Sequence, residues 1–376
     1  MSIRIGMVST FPPTPCGIAT FSQALTQQLR AHGARVGIVR VVPHREPTPA
    51  TVAHQWVTGP GTGAEAAARV LNAHDVAVIQ HEYGIFGGPD GQDVIDLVQR
   101  LDVPVVSVLH TVLTEPTTNQ HRVLAALCES SAALVTMTAT TRDRLIELWG
   151  QDPARVSVIP HGAQDNRGLG LEPQLHDRPV VLTWGLLGPG KGIEWAIRAL
   201  AELQDVRPAP AYHVVGQTHP RVVETHGEAY RDRLFALVDE HALGAQVSFD
   251  DRYLSGPALR SIVRDADIIL LPYDSRDQVT SGVLTEAVAA GKPVVSTAFP
   301  HAVELLSSGA GILVPQRDPS AIASGLRRLL TEPGLAAQMG ATSRELATAV
   351  LWPTVADQYL QLSSTVLGAS AARVVA

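Results

Sequence analysis

A rhythm in the sequence constrains this chain more than any single residue. Short apolar, β-branched runs alternate with stretches of helical spacing, and the alternation runs through twice. In the first pass Ile3–Ser9, Arg35–Val42, Val76–Gln80, Val103–Leu109, Ala133–Met137 and Val156–Ile159 read as strands. Gly17–His32, Gln92–Arg100, His121–Glu129 and Thr141–Trp149 read as the helices between them. Strand, crossover helix and strand in this order imply a parallel sheet wrapped by helices. A loop rich in Gly, Pro, Asp and Asn, Pro160–Pro179, interrupts the pattern. It restarts with strands Val180–Trp184, Tyr212–Val215, Val247–Phe249, Ile268–Leu271, Val294–Ser296 and Gly311–Val314. The second set of helices is Ile193–Leu203, Ala229–His241, Pro257–Val263, Val283–Ala290 and Ala321–Leu330. The expected fold is α/β: two tandem Rossmann-like doubly wound domains, 1–170 and 171–351, facing a cleft. A length of 376 residues suits that division, since domains run to roughly 100–200 residues. The amphipathic segment Trp352–Leu367 lies beyond the second unit and is expected to pack back on the first domain.

Charge and composition remove several function classes. The net charge is −7, from 29 basic and 36 acidic residues, and no dense basic run occurs. No nucleic-acid partner is therefore expected, although a local anion pocket stays open. Two cysteines, Cys16 and Cys128, exclude a disulfide framework. The opening MSIRIGMVSTF is strand-like rather than signal-like. No apolar run approaches the ~18 residues that span a bilayer. A cytoplasmic protein is expected, at most loosely peripheral to the inner face of a membrane. The 14 histidines show no HExxH or clustered ligand spacing, and no GxSxG elbow occurs. Asp265-Ala-Asp267 sits where a helix hands over to a strand and reads as a cap. No metal and no cofactor are expected.

In open α/β sheets ligands bind beyond the C-terminal strand ends, at the point where strand order reverses. The segment Trp184–Gly192 follows a strand and opens a helix. Gly185, Gly190 and Lys191 fit most of a Walker A template, but Gly192 stands where Ser or Thr would hold Mg²⁺. A Gly loop with a lysine at a helix start still suits phosphate, because free N–H groups and the helix dipole both favour anions. Only two of the 29 basic residues are lysines, Lys191 and Lys292. The competing reading is a tight turn with a solvated lysine. Thr280 or Ser281 can cap the next candidate helix. The amides of Ser281, Gly282, Val283 and Leu284 would then form a second diphosphate seat. Glu286, one turn further in, could accept from ribose hydroxyls, or simply favour the first turn of its helix. His110 directly follows a strand, as does His81-Glu82-Tyr83, whose mix of polar and aromatic groups suits a sugar-binding loop. In Thr10–Ile18 the first strand turns into a helix at Gly17, where a residue without a side chain lets a ligand approach the backbone.

Together these residues resemble the retaining, family-four glycosyltransferases of the GT-B fold. The resemblance runs nearly the whole chain: the Pro-rich first loop ending at Gly17, the strand-end His110, Ile159-Pro-His-Gly162, and the strand–Gly–KG–helix element at Lys191 and Gly192. Its most specific part is Ser281–Thr297, with Glu286-Ala-Val-Ala-Ala-Gly-Lys-Pro-Val-Val-Ser-Thr; Gly311–Pro315 and the Trp352 helix complete it. Two departures stand out. Leu186 replaces an arginine that usually pairs with the lysine, and Gln278 replaces the first of two glutamates. Arg252 or Arg276 would be the substitutes for that arginine.

The resemblance implies metal-independent transfer of a sugar, with retention, from a nucleoside-diphosphate sugar to an unspecified acceptor hydroxyl. Lys191 and the amides at Ser281–Leu284 would stabilise the departing diphosphate, with Gly17, Gly185 and Thr280 also on the donor. Glu286 would hold the ribose and Gln278 the transferred sugar. The His110 carbonyl or ring would face the oxocarbenium-like centre, and His81, Glu82 and Tyr83 would meet the acceptor. A P-loop-like NTPase, a nucleotide-sugar epimerase on the same fold and a degenerate sugar-nucleotide-binding protein remain the alternatives.

Overall fold

The structure is a computed structural model that describes residues 2–59, 63–167, 176–275 and 279–375. The chain divides into two compact units, Met1–Gly162 with Trp352–Ala376, and Ala163–Leu351. The division falls at 162/163 rather than 170/171.

Among its described residues, unit 1 holds strands β1 (Arg4–Ser9), β2 (Arg35–Val42), β3 (Val52–Val57), β4 (Val76–His81), β5 (Val105–Leu109), β6 (Ala133–Thr136) and β7 (Val156–Val158). They form one parallel sheet in the order β3-β2-β1-β4-β5-β6-β7. Strand order reverses between β1 and β4, so the turns that follow these strands flank the natural ligand crevice of the sheet. The helix Gly17–Ala31 starts where the Cys16 Sγ accepts the Ala19 N–H at 3.3 Å. Phe21, Leu25 and Leu29 of its apolar stripe pack on Ile5 and Met7 of β1. Arg40 of β2 is fully buried and pins the Pro-rich loop ahead of that helix. Its guanidinium donates to the Phe11 carbonyl and the Thr14 hydroxyl, both at 2.9 Å, and pairs with Glu46 at 2.6 Å.

The terminal helix Trp352–Val375 belongs to unit 1. Trp352, Val355, Ala356, Tyr359 and Val366 complete the core under the Gly17 helix. Position 162 admits no side chain, because a Cβ there would fall inside the Trp352 indole.

Unit 2 holds β8 (Val180–Trp184), β9 (Ala211–Val215), β10 (Val247–Asp250), β11 (Ile268–Leu271), β12 (Val294–Thr297) and β13 (Gly311–Val314) among its described residues. They run parallel in the order β10-β9-β8-β11-β12-β13, with the reversal between β8 and β11. The strands are apolar on both faces, and each face meets its own cluster. Val181, Tyr212, Val214 and Leu270 meet the helix Ile193–Ala201 on one side. Leu182, Ile269 and Leu271 meet the helix Gly282–Ala289 on the other.

Several elements escape the sequence pattern: β3 and the helices Ala64–Leu71, Pro220–His226, Pro300–Leu306 and Leu335–Val350. β3 is a half-buried edge strand carrying His54 and Gln55. The buried face of Leu335–Val350 includes Gly340, Ser343 and Ala347, too small to write an apolar stripe. The terminal helix also runs to Val375 rather than Leu367. Among the described residues no helix is long and apolar enough to cross a membrane.

Replacing Gly162 by Ala should undock the terminal helix, because over-packing a fixed aromatic ring typically costs about 1–3 kcal/mol or more. A melting temperature lowered by roughly 4 °C or more, with new proteolytic cleavage inside 352–375, is the expected result. Unchanged melting and protection would show that the helix is not held there.

Candidate functional site

The two segments singled out in unit 2 converge at the strand reversal. The loop after β8 turns at Gly185, whose Cα position lies beside Val283; a Cβ there would stand 3.6 Å from the Val283 Cγ2. Further on, the Asp274 N–H after β11 donates to the Gly190 carbonyl at 3.1 Å. The Lys191 ammonium rests over the Tyr273 ring, 4.3 Å from its centroid. Tyr273 is itself fully buried and stacks on Phe299 at 5.3 Å. Lysine loop and helix start therefore lie side by side at the strand reversal, the loop held to the segment after β11 by backbone and ring contacts.

Gly192 decides one of the alternatives. It has φ +65°, and a Cβ on it would overlap the Pro272 carbonyl oxygen. Backbone cannot yield as a flexible side chain does, so the hydroxyl residue that a Walker A loop needs at this position has no room. The P-loop reading is removed on steric grounds, not only by the missing residue.

Of the four amides assigned to the helix start, two are already used. The Ser281 N–H donates to the His301 Nδ1 at 2.8 Å, and the Leu284 N–H to the Ser281 Oγ at 3.2 Å. Of the two cap candidates, Thr280 and Ser281, the helix uses Ser281, and that role withdraws Leu284 from a ligand. The Gly282 and Val283 amides make no hydrogen bond among the described residues. The anion seat thus narrows to two N–H groups and the ammonium.

Glu286 faces the Trp184 indole, which donates to its carboxylate, and lies near Arg260. Burial nevertheless dominates and pushes its carboxyl up to about 7. Trp184 is the group the sequence reading missed; its place as the last residue of β8, directly before Gly185, was the available signal. Arg231 was missed as well. Almost wholly buried, it donates to the Gly216 carbonyl at 2.7 Å and the Thr218 hydroxyl at 3.4 Å, fixing the turn after β9. Gln278 and Arg276 lie outside the described residues. The other proposed substitute, Arg252, is committed to Asp250 through contacts of 2.6 and 2.9 Å, which hold that carboxyl down at about 2. Lys292, the second lysine, is structural: its ammonium donates to the Arg264 and Ala266 carbonyls at 2.5 and 2.7 Å and closes a helix end. Asp267 accepts the Val180 N–H at 2.7 Å, so its carboxylate ties the start of β8 rather than capping a helix.

In unit 1, Phe21 gathers the candidate groups. Its ring lies 5.2 Å from His110, 5.0 Å from His161 and 5.1 Å from Trp352. The His110 Nε2–H donates to the Gln80 Oε1 at 2.8 Å, leaving Nδ1 as an acceptor. Burial first, then neighbouring histidines, lowers the His110 ring to about 3, and burial lowers His161 to about 4. Both are neutral near pH 7. Gly17 opens on free space, with no atom near where its Cβ would be.

The acceptor group is rearranged relative to expectation. His81 ends β4 with 0 % exposure, and Tyr83 is buried against it with rings 5.0 Å apart. Neither forms part of an open loop surface, because both side chains fill the sheet's own core. Only Glu82 is half-exposed, accepting the Thr111 hydroxyl.

Comparison with known proteins places both units. Residues 15–167 match the family described as Glycosyltransferase Family 4, and residues 172–346 the Glycosyl transferases group 1. A glycogen synthase of Mycobacterium tuberculosis (strain CDC 1551 / Oshkosh) is 27% identical over 280 residues, 71% of this chain and 64% of that protein. A D-inositol 3-phosphate glycosyltransferase of Kineococcus radiotolerans is 30% identical over 301 residues, 70% of this chain and 66% of that protein. The chain thus spans just under two thirds of the length of these curated relatives. Anabaena Alr3699/HepE, solved in complex with UDP and glucose, superposes with a TM-score of 0.75 at 16% identity, over 96% of this chain and 100% of that one. That likeness shows the GT-B fold.

Between pH 4.5, the ordinary value, and about 7 the folded protein keeps the Glu286 proton that the unfolded chain has released. Stability should therefore fall as pH rises through this window and level off above it. Glu286→Gln, neutral throughout, should gain melting temperature relative to wild type across the same window. Parallel melting curves for the two proteins would contradict the raised value.

Proposed function

The chain belongs to the family-four glycosyltransferases of the GT-B fold, and from that premise we propose that it is a hexosyltransferase. It moves a sugar from a nucleoside-diphosphate donor to an acceptor hydroxyl, with retention of configuration and without a metal. The observation that carries this reading is the meeting of two segments at the reversal between β8 and β11, where the Lys191 loop docks on the Asp274 backbone and Gly185 meets the start of the Gly282 helix.

The chemistry follows from charge. As the glycosidic bond breaks, negative charge grows on the departing diphosphate. The Lys191 ammonium and the free Gly282 and Val283 amides are fixed before reaction, so they stabilise that charge without reorganising. Glu286, oriented by the Trp184 indole, takes the ribose hydroxyls. A carboxyl poised near neutrality can accept from one hydroxyl and, when protonated, donate to another. Gln278 keeps the role that the resemblance assigns it, orienting the transferred sugar through neutral hydrogen bonds. His110 is the residue of unit 1 assigned to the sugar. Its neutral ring adds no positive charge to repel an oxocarbenium-like centre, and its Nδ1 and backbone carbonyl both present lone pairs. Glu82 is the member of the His81-Glu82-Tyr83 group with reach to an acceptor.

The donor is a nucleoside-diphosphate hexose, and UDP-glucose is the first to try, since a structural neighbour was solved with UDP and glucose. Turnover also separates this reading from a degenerate binding protein on the same fold, which would bind the donor and release nothing.

Lys191→Ala should lower nucleotide release by roughly 10²–10³-fold, the usual loss for one preorganised charge-stabilising donor. Its melting temperature should stay unchanged. Glu286→Ala should also sharply reduce release while remaining folded. A panel of UDP-, GDP- and ADP-hexoses with a coupled nucleotide assay measures both, and wild-type rates in the two variants would overturn the assignment.

A further inference from the structure

The Lys191 loop carries an electrostatic problem that the donor site has to solve. Asp274 docks on it through its own N–H, and its Oδ1 lies 3.6 Å from where a Gly190 Cβ would stand. Only 13% of its side chain is exposed. A carboxylate in this position repels a diphosphate and competes for the lysine charge, and Leu186 offers no second cation to offset it.

Arg317 sits in the loop after β13, and its Nε pairs with the Asp274 Oδ2 at 3.3 Å. The Trp195 indole N–H reaches the same oxygen at 3.5 Å. The neighbouring Gln316 amide donates to the Ser275 carbonyl at 2.9 Å, so two consecutive residues of this loop hold the segment after β11. Arg317 does this from a left-handed backbone, φ +59°. That conformation is unfavourable for a side chain of this size and natural for glycine or asparagine. Strain of this kind persists where the side chain serves something else. An ion pair with a 65% exposed arginine contributes little to stability, so stability alone does not account for it.

We propose that Arg317 is the charge-balancing cation of the donor diphosphate site. It neutralises Asp274 and leaves the Lys191 ammonium unspent for the donor. The inference rests on the donor site proposed above and deepens it: the cation missing at 186, after β8, is replaced in charge by a residue after β13, three strands away along the sheet. Arg317 acts through Asp274 and need not touch the donor itself.

The test is calorimetric binding of UDP, GDP and ADP to the full chain, using the diphosphate that wild type binds tightest. Arg317→Gln should weaken binding roughly tenfold at low salt by exposing the Asp274 charge. The deficit should shrink towards 0.5 M salt, where the screening length is only a few ångströms. Asp274→Asn on top of Arg317→Gln should restore binding to near wild type, which a purely structural arginine would not allow. Arg317→Gly, relieved of backbone strain, should melt no lower than wild type and still bind weakly. Unchanged binding in Arg317→Gln, or no recovery in the double variant, overturns the proposal. If wild type binds none of the three diphosphates, the donor-site reading itself fails and takes this inference with it, a result visible before any variant is made.

Discussion

Much of unit 2 turns on one close approach: the Gly192 backbone lies against the Pro272 carbonyl, leaving no room for a Cβ. That contact brings the end of β11 against the start of the helix Ile193–Ala201. Lys191, the preceding residue, is thereby held over the Tyr273 ring rather than free in solvent. A glycine in the left-handed region is needed to make the turn, and no hydroxyl-bearing residue can replace it. The same steric fact therefore orients the cation and excludes nucleotide-triphosphate chemistry of the Mg²⁺-holding P-loop kind. An ammonium fixed in this way contributes more to a developing anion than a mobile one, because its ordering is complete before the ligand arrives.

Electrostatics divide between the two units. In unit 2 burial raises an acid, Glu286, towards neutrality, while an indole and an arginine pull in the opposite direction. In unit 1 burial lowers His81, His110 and His161, so that all three are uncharged near pH 7. Both properties come from desolvation rather than from specific ion pairs. They go with packing around aromatic residues: Phe21 beside His110 and His161, Tyr83 beside His81, and Trp184 beside Glu286.

The sheets were legible because their strands are buried on both faces and therefore read as continuous apolar runs. What escaped was the periphery. β3 is an edge strand with polar residues, and Leu335–Val350 buries glycine, serine and alanine where an amphipathic pattern needs larger groups. At the site, Lys191, Ser281 and Glu286 stood out because glycine loops and caps have strong local signatures. Trp184, His301 and Arg317 did not, because their partners lie 20 to 102 positions away in sequence, and Arg231 did not because it holds a turn through a backbone carbonyl and a hydroxyl that carry no motif. Ser281 was one of two cap candidates beside Thr280, and its capture of the Leu284 amide and the loss of its own amide to His301 needed coordinates. His81 and Tyr83 looked like loop residues, and the structure puts them in the core.

The sequence alone determined the two parallel sheets, the turns at their carboxyl ends and the residue types available there, because strand period, glycine placement and helix capping act over a few neighbouring residues. Only the tertiary structure decided which of those groups remain free to meet a ligand. Hydrogen bonds and ion pairs such as Ser281 with His301 and Asp274 with Arg317 join residues 20 to 43 positions apart. Whether a polar group is spent or available depends on those distant partners, which no local pattern encodes.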